Sequence, residues 1–205
     1  MTRADLAEKR EEILQTIRDA AIAEFAVHGF HGASTQGIAR RAGITKNRLH
    51  YYITSKDALY AEALRHIVAL QEQQFHGIDM TQPPEPFLRD YIARKLRHVL
   101  AYPDSARMFT AEIMRGAPVL RTFWHESRDA TMRAAQVIEG WVRDGLIRPV
   151  DPVLLQIHIW ALTQQHALHG AETAFMLGLP GPEALDPDRL AEEIAALVLT
   201  GLRPA

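Results

Sequence analysis

Ser34 to Lys56 reads STQGIARRAGITKNRLHYYITSK. Five of these residues are basic (Arg40, Arg41, Lys46, Arg48 and Lys56) and none is acidic, in a chain whose formal net charge is −2. Ser34 or Thr35 can cap a helix that runs to about Arg41. Gly43 breaks that helix inside the turn Ala42-Gly43-Ile44, and Thr45 caps a second short helix ending near Tyr52. Two short helices around a tight turn, carrying positive charge, are what reading a DNA major groove requires. A helix-turn-helix motif is therefore expected at about residues 34–53.

The flanking sequence continues the helical pattern. Ile13, Ile17, Ala20, Ala21, Glu24 and Phe25 recur at the spacing of one helix face from about Lys9 to His28, with Ile13, Ile17, Ala21 and Phe25 its apolar members, and Gly29 is a natural stop. Ser55 can cap a fourth helix from Lys56 to about Phe75, with Asp57 in its first turn. A linker follows from Gly77 to Pro86. Further helices are expected at 87–102, 104–115, 119–144, 151–169 and 188–202, with breaks at Pro103, Gly116-Ala117-Pro118, Gly145 and the Gly/Pro-rich loop 178–187. No alternating strand pattern appears. The expectation is an all-α chain of about nine helices, divided into a DNA-binding domain (8–54) and a second helical domain (55–205).

Composition narrows the function. The chain has 205 residues, 47% hydrophobic, and no cysteine, which excludes disulfides and thiolate chemistry. The start lacks the apolar stretch of a signal peptide, and no apolar run approaches the roughly 18 residues of a membrane span. A cytoplasmic protein with no membrane partner is expected. Residues 1–60 carry nine Lys/Arg against seven Asp/Glu, whereas the remainder carries fourteen against eighteen. A basic head on an acidic body favours one localised polyanion contact over indiscriminate binding. No Gly-rich phosphate loop, nucleophile motif or His-Glu-x-x-His pattern points to an enzyme, and no cofactor is implied.

Ile38-Ala39-x-x-Ala42-Gly43-Ile44-Thr45, then Leu49-His50-Tyr51-Tyr52 and Lys56-Asp57-Ala58-Leu59, resembles the N-terminal domain of tetracycline-repressor (TetR) type regulators. Phe25-x-x-x-Gly29-Phe30-x-Gly32 resembles that domain's first helix and exit. Ala101-Tyr102-Pro103, Arg115-Gly116-Ala117-Pro118, Gly140-Trp141-Val142-x-x-Gly145 and Asp151-Pro152 with Ile159-Trp160-Ala161-x-Thr163-Gln164 are similar to the C-terminal domain of the pyrimidine-utilisation (RutR-like) group within the family. Two positions depart. Gly37 stands where members often carry an acidic or bulky residue, at a helix cost of up to about 1 kcal/mol. Gln71 stands where pyrimidine-binding members use an aromatic.

The resemblance implies a transcriptional regulator, most often a repressor, that binds a near-palindromic operator as a homodimer and is released by a small-molecule effector. On the third helix Lys46, Asn47, Arg48 and His50 are the long polar side chains available to the groove. Asn47 or Arg48 is the candidate for base edges, since Asn pairs with adenine and Arg with guanine. Ser34, Thr35, Thr45, Tyr51, Tyr52 and Lys56 are candidates for backbone contacts, Tyr51 being shared between phosphate and core. Leu49, Ile38, Ile44 and Ala39 belong to packing. The last two helices are the expected dimer surface, through Leu154, Leu155, Ile157, Ile159, Ala161, Leu162, Ile194, Leu197 and Val198.

In the body, Trp160 and Gln164 are four apart, hence on one helix face. An aromatic plane beside an amide suits a flat heterocycle such as a pyrimidine, and the resemblance gives these two residues that role. Lys95, Met108, Phe109 and Glu112 are further candidates for the cavity, and an ordinary core tryptophan is the alternative for Trp160. His166-x-x-His169-x-x-Glu172 has a spacing that two imidazoles and a carboxylate could use for a divalent metal, although no fourth ligand is evident.

Overall fold

The computed structural model describes residues 3–73 and 81–204. Over these residues the chain forms ten α-helices, two short 3-10 turns and no strand. The helices are α1 (Arg3–Gly32), α2 (Thr35–Arg41), α3 (Lys46–Tyr52), α4 (Lys56–Gln73), α5 (Pro84–Ala101), α6 (Pro103–Met114), α7 (Trp124–Arg143), α8 (Pro152–Leu168), α9 (Gly170–Met176) and α10 (Pro187–Leu202). The expected end of α4 near Phe75 and the first part of the linker, 77–80, lie outside the described residues.

Local chemistry sets the boundaries of the motif. Ser34, not Thr35, caps α2: its Oγ accepts the Gly37 N–H at 2.9 Å. Thr45 Oγ1 accepts the Arg48 N–H at 3.2 Å and starts α3. Between them Gly43 takes φ +67°, a left-handed conformation that a side chain resists. At Gly29 (φ 64°, ψ 177°) α1 bends before a last turn to Gly32. Asp151 and Asp186 cap α8 and α10 through two N–H groups each.

Two departures from the sequence pattern have physical causes. The helix expected from Val119 begins at Trp124. Gly116 (φ 87°) and Ala117 (φ 57°) reverse the chain, and the Glu112 carboxylate takes the Val119 and Leu120 N–H groups, leaving only a 3-10 turn at Leu120–Thr122. The stretch 170–177, to which periodicity gives no element, forms α9 after His169 breaks the line of α8 at φ −118°, ψ 32°.

The chain divides into two compact units. One runs through Val68 and includes Arg107–Phe123, and the other takes Ala69–Ala106 and everything from Trp124. The first is packed around Ile17, Ala21, Phe25, Ile38, Leu49, Tyr60, Leu64 and Ile67, all buried. Tyr60 meets Phe25 edge-on at 4.8 Å and Phe30 at 5.0 Å. In the second, α5 packs on both α10 and α8, and α7 packs on α8, around Leu88, Ile92, Leu96, Ile138, Trp141, Ile159 and Ile194. No described helix is long and apolar enough to cross a membrane.

Candidate functional site

The seven residues of α3 sort cleanly by side. Leu49 is fully buried and anchors the helix, while Lys46, Asn47, Arg48, His50 and Tyr51 are exposed and Tyr52 is half-buried. Tyr51 has no core share: 76% of its surface is open, and its ring stands edge-on to Tyr52 at 5.1 Å. At two turns α3 is too short to bury more than one large side chain, so Tyr51, one turn on from the exposed Asn47 and Arg48, faces out with them. Ser34 and Thr45 are exposed and Thr35 is half-buried, while Ile44, expected inside, is only partly covered. Ile38 and Ala39 are fully buried.

Beneath this surface lies a carboxylate that the helical spacing puts on the inward face without giving it a role. Glu24, on the inward side of α1, is 3% exposed. It accepts Arg41 Nε at 2.8 Å and the Ser34 backbone N–H, with His28 Nε2 at 3.9 Å. Burial pushes its pKa up, but the Arg41, Ser34 and His28 interactions outweigh that and hold it below the ordinary carboxylate value. Glu24 thus ties both ends of α2 to α1. The space comes from Gly37: a Cβ there would sit 1.9 Å from Glu24 Oε1. In the sequence the arrangement leaves two traces: Glu24 at an inward position of α1, and the glycine, placed inside a helix where it would otherwise only weaken it.

Lys56 has an anchoring role beside the one its charge suggests. Its ammonium donates to the carbonyls of Phe30 (2.9 Å) and Ala33 (3.1 Å) and lies 4.7 Å from the centroid of the Phe30 ring. Carbonyls at the end of α1 lack helical partners, and a lysine there satisfies them. Lys56→Met is expected to lower stability by about 1–2 kcal/mol, read as a shift of the urea midpoint. A variant that unfolds like the parent but binds DNA more weakly would assign Lys56 to phosphate alone.

The body candidates fall in both units. Met108, Phe109 and Glu112 belong to the first, with Met108 and Glu112 buried. The Glu112 carboxylate is already committed there: it accepts Tyr60 Oη at 3.1 Å, Val119 N at 2.6 Å, Leu120 N at 3.4 Å and an Arg115 nitrogen at 3.4 Å. Lys95, Trp160 and Gln164 belong to the second. Lys95 Nζ is 5.9 Å from the centroid of the Trp160 ring, and Trp160 Nε1 donates to Tyr91 Oη at 2.7 Å. Burial lowers the Lys95 pKa to about 8. Gln164 follows Trp160 by one turn of α8 and is half-buried.

The histidine spacing on α8 and α9 does not assemble a metal cluster. Among the described residues no three His, Cys, Asp or Glu side chains are grouped to hold an ion. His169 Nδ1 pairs with Glu172 at 3.3 Å, whereas His166 Nδ1 is buried without a hydrogen-bond partner. The break at His169 turns α9 away from the straight helix that the spacing assumed. An open hollow of about 320 Å³ lies there, lined by Gln165, His166, Thr173, Met176, Leu177 and Leu190 among others.

With this geometry in place, comparison with known proteins is informative. Residues 17–63 match the family model of bacterial regulatory proteins, tetR family, and residues 64–205 match that of the YcdC-like protein C-terminal region. The chain is 31% identical over 191 residues to the HTH-type transcriptional regulator RutR of Escherichia coli K12, covering 93% of this chain and 90% of RutR. Among solved structures, the putative transcriptional regulator SCO4942 of Streptomyces coelicolor superposes with a TM-score of 0.71 at 25% identity, covering 93% of this chain and 98% of SCO4942. AibR, solved in complex with isovaleryl coenzyme A and operator DNA, shares the fold with a TM-score of 0.71 at 17% identity, over 90% of this chain and 97% of its own.

Proposed function

The chain belongs to the TetR family of DNA-binding transcriptional regulators, and on that footing we propose that it is a repressor acting as a homodimer on a near-palindromic operator. The observation that carries this reading is the sorting of α3: one buried leucine, with Lys46, Asn47, Arg48 and His50 outward and no acid among them. In the proposed complex α3 enters the major groove, Asn47 or Arg48 reads base edges, and Ser34, Thr35, Thr45, Tyr51, Tyr52 and Lys56 meet the sugar-phosphate chain. Residues 8–54 serve as the reading domain and 55–205 as the domain for effector and partner. Two heads about 34–36 Å apart would reach successive major grooves.

Dimerisation is proposed through α8 and α10. Their exposed apolar side chains support this: Leu154 and Ile157 on α8 and Leu197 on α10 are 49%, 42% and 64% open, and Ala161 is exposed too. Leu155, Ile159 and Ile194 are taken up by the core of the unit, and Leu162 and Val198 are half-buried, so the available surface is narrower than the sequence suggested. The effector proposed is a flat heterocycle of pyrimidine type, held by Trp160, Gln164 and Lys95. Its occupancy favours one spacing of the heads, and only that difference in affinity can release DNA.

Gel-shift titration on the DNA upstream of the protein's own coding sequence tests the first part. Asn47→Ala and Arg48→Ala are expected each to weaken binding roughly ten-fold and to relax choice at one base pair, without changing the salt slope by more than about one unit. Losses from both that are the same on every DNA sequence would overturn the assignment. Thermal shift with a metabolite panel, pyrimidines first, tests the effector, because a ligand of the native state raises the melting temperature.

A further inference from the structure

Helix α5 carries four Lys and Arg residues, and three of them have a carboxylate. Arg89 binds Glu192 at 2.6 Å and Glu85 at 3.0 Å, Arg94 binds Asp90 at 2.9 Å, and Arg97 binds Asp188 at 2.8 Å. All three have side chains at least 38% open, where such pairs matter least. The fourth, Lys95, is only 9% exposed and has no acidic partner among the described residues. What it faces is the Trp160 ring, held in orientation by the bond from Trp160 Nε1 to Tyr91 Oη. The other titratable neighbour, His98, is itself disfavoured as a cation by burial and by Lys95. Burying an ammonium without a counter-charge is costly, and water, where it reaches, offsets only part of that cost. On α5, then, the exposed arginines are paired and the buried lysine is not.

We infer that the effector is an acid: a flat, aromatic or heteroaromatic ring bearing an anionic group, its anion on the Lys95 ammonium and its plane on the Trp160 ring. This rests on the effector reading above and narrows it. The neutral heterocycle that Trp160 and Gln164 alone would accept leaves Lys95 uncompensated. An acid closes a charge pair inside the body, where a charge-assisted hydrogen bond is strongest.

The test uses the full chain and three probes: orotate, a pyrimidine carrying a carboxylate; uracil, the same ring without it; and benzoate, a carboxylate on a ring with no amide partners. Binding is followed by calorimetry and by thermal shift. Orotate is expected to bind at least ten-fold more tightly than uracil at pH 7, with benzoate binding measurably. Lys95→Met should lower orotate affinity at least thirty-fold while leaving its own unfolding cooperative. Should that variant not fold, the parent supplies the same information: orotate affinity should fall by up to ten-fold per pH unit above about 8, as the free ammonium loses its proton. Uracil binding as tightly as orotate, with no effect of Lys95→Met, would overturn the requirement for an acid and leave the heterocycle reading in place. Acids bound equally by parent and variant would also overturn it. Failure of all three probes would remove both readings.

Discussion

Gly37→Ala is expected to destabilise the DNA-binding unit by about 3 kcal/mol, although alanine is the better helix former. In an unencumbered helix the change would gain about 1 kcal/mol. Here the new methyl would lie 1.9 Å from Glu24 Oε1 and 2.6 Å from Cδ. The carboxylate cannot simply swing aside, because Arg41, Ser34 and His28 hold it from different directions and its side chain is only 4% exposed. Either α2 moves off α1 or a buried charge leaves its partners. The signature is a reversal of sign: in a Glu24→Ala background, Gly37→Ala should be neutral or stabilising by up to about 1 kcal/mol. Urea unfolding of the four proteins measures it. A single Gly37→Ala protein more stable than the parent would refute the clamp. Since α2 and α3 pack together, the single variant should also lose DNA affinity.

Lys95→Met is expected to raise stability near pH 7 by about 3 kcal/mol, and the gain should fade as the solution is made alkaline. The sign follows from the direction of the shift. Burial lowers the Lys95 pKa from 10.5 to about 8 in the folded protein. Below pH 8 both states carry the proton and the parent bears the whole penalty of a buried ammonium. Between 8 and 10.5 the unfolded chain holds more protons, so parental stability rises with pH. Methionine fills similar volume without charge and removes that dependence. Tyr60, pushed up to about 12 by burial and by Glu112, destabilises the native state above pH 10 in parent and variant alike. The comparison therefore belongs between pH 7 and 9.5, by urea midpoint. Equal midpoints for parent and variant at pH 7 would mean that the ammonium is adequately solvated.

How much could be read from residues alone differs by element. The motif was legible because its signals are local: Ser34 and Thr45 cap, Gly43 turns, Leu49 anchors, and each acts within four residues. The inward placement of Glu24 was legible from spacing, but its role was not. Its partners are His28 one turn along the same helix, Ser34 past the Gly29 bend, and Arg41 on α2, 17 residues away. Lys56 shows the same limit. Its charge suggested a phosphate and gave no sign that its ammonium also donates to two carbonyls more than twenty residues earlier. The short α9 escaped because seven residues give too little periodicity to stand out beside Gly170. The body was legible as helices but not as a binding site. Trp160 and Gln164 share a face by spacing, yet the unpaired state of Lys95 emerges only once every other cation of α5 is seen with its carboxylate.

The bond pair from Lys56 to Phe30 and Ala33 has a mechanical consequence. It bolts the first turn of α4 to the tail of α1, with an aromatic ring as the washer. Torque applied to the start of α4 is then delivered to the tail of α1 with little backlash, so a small rotation need not be wasted in a loose joint.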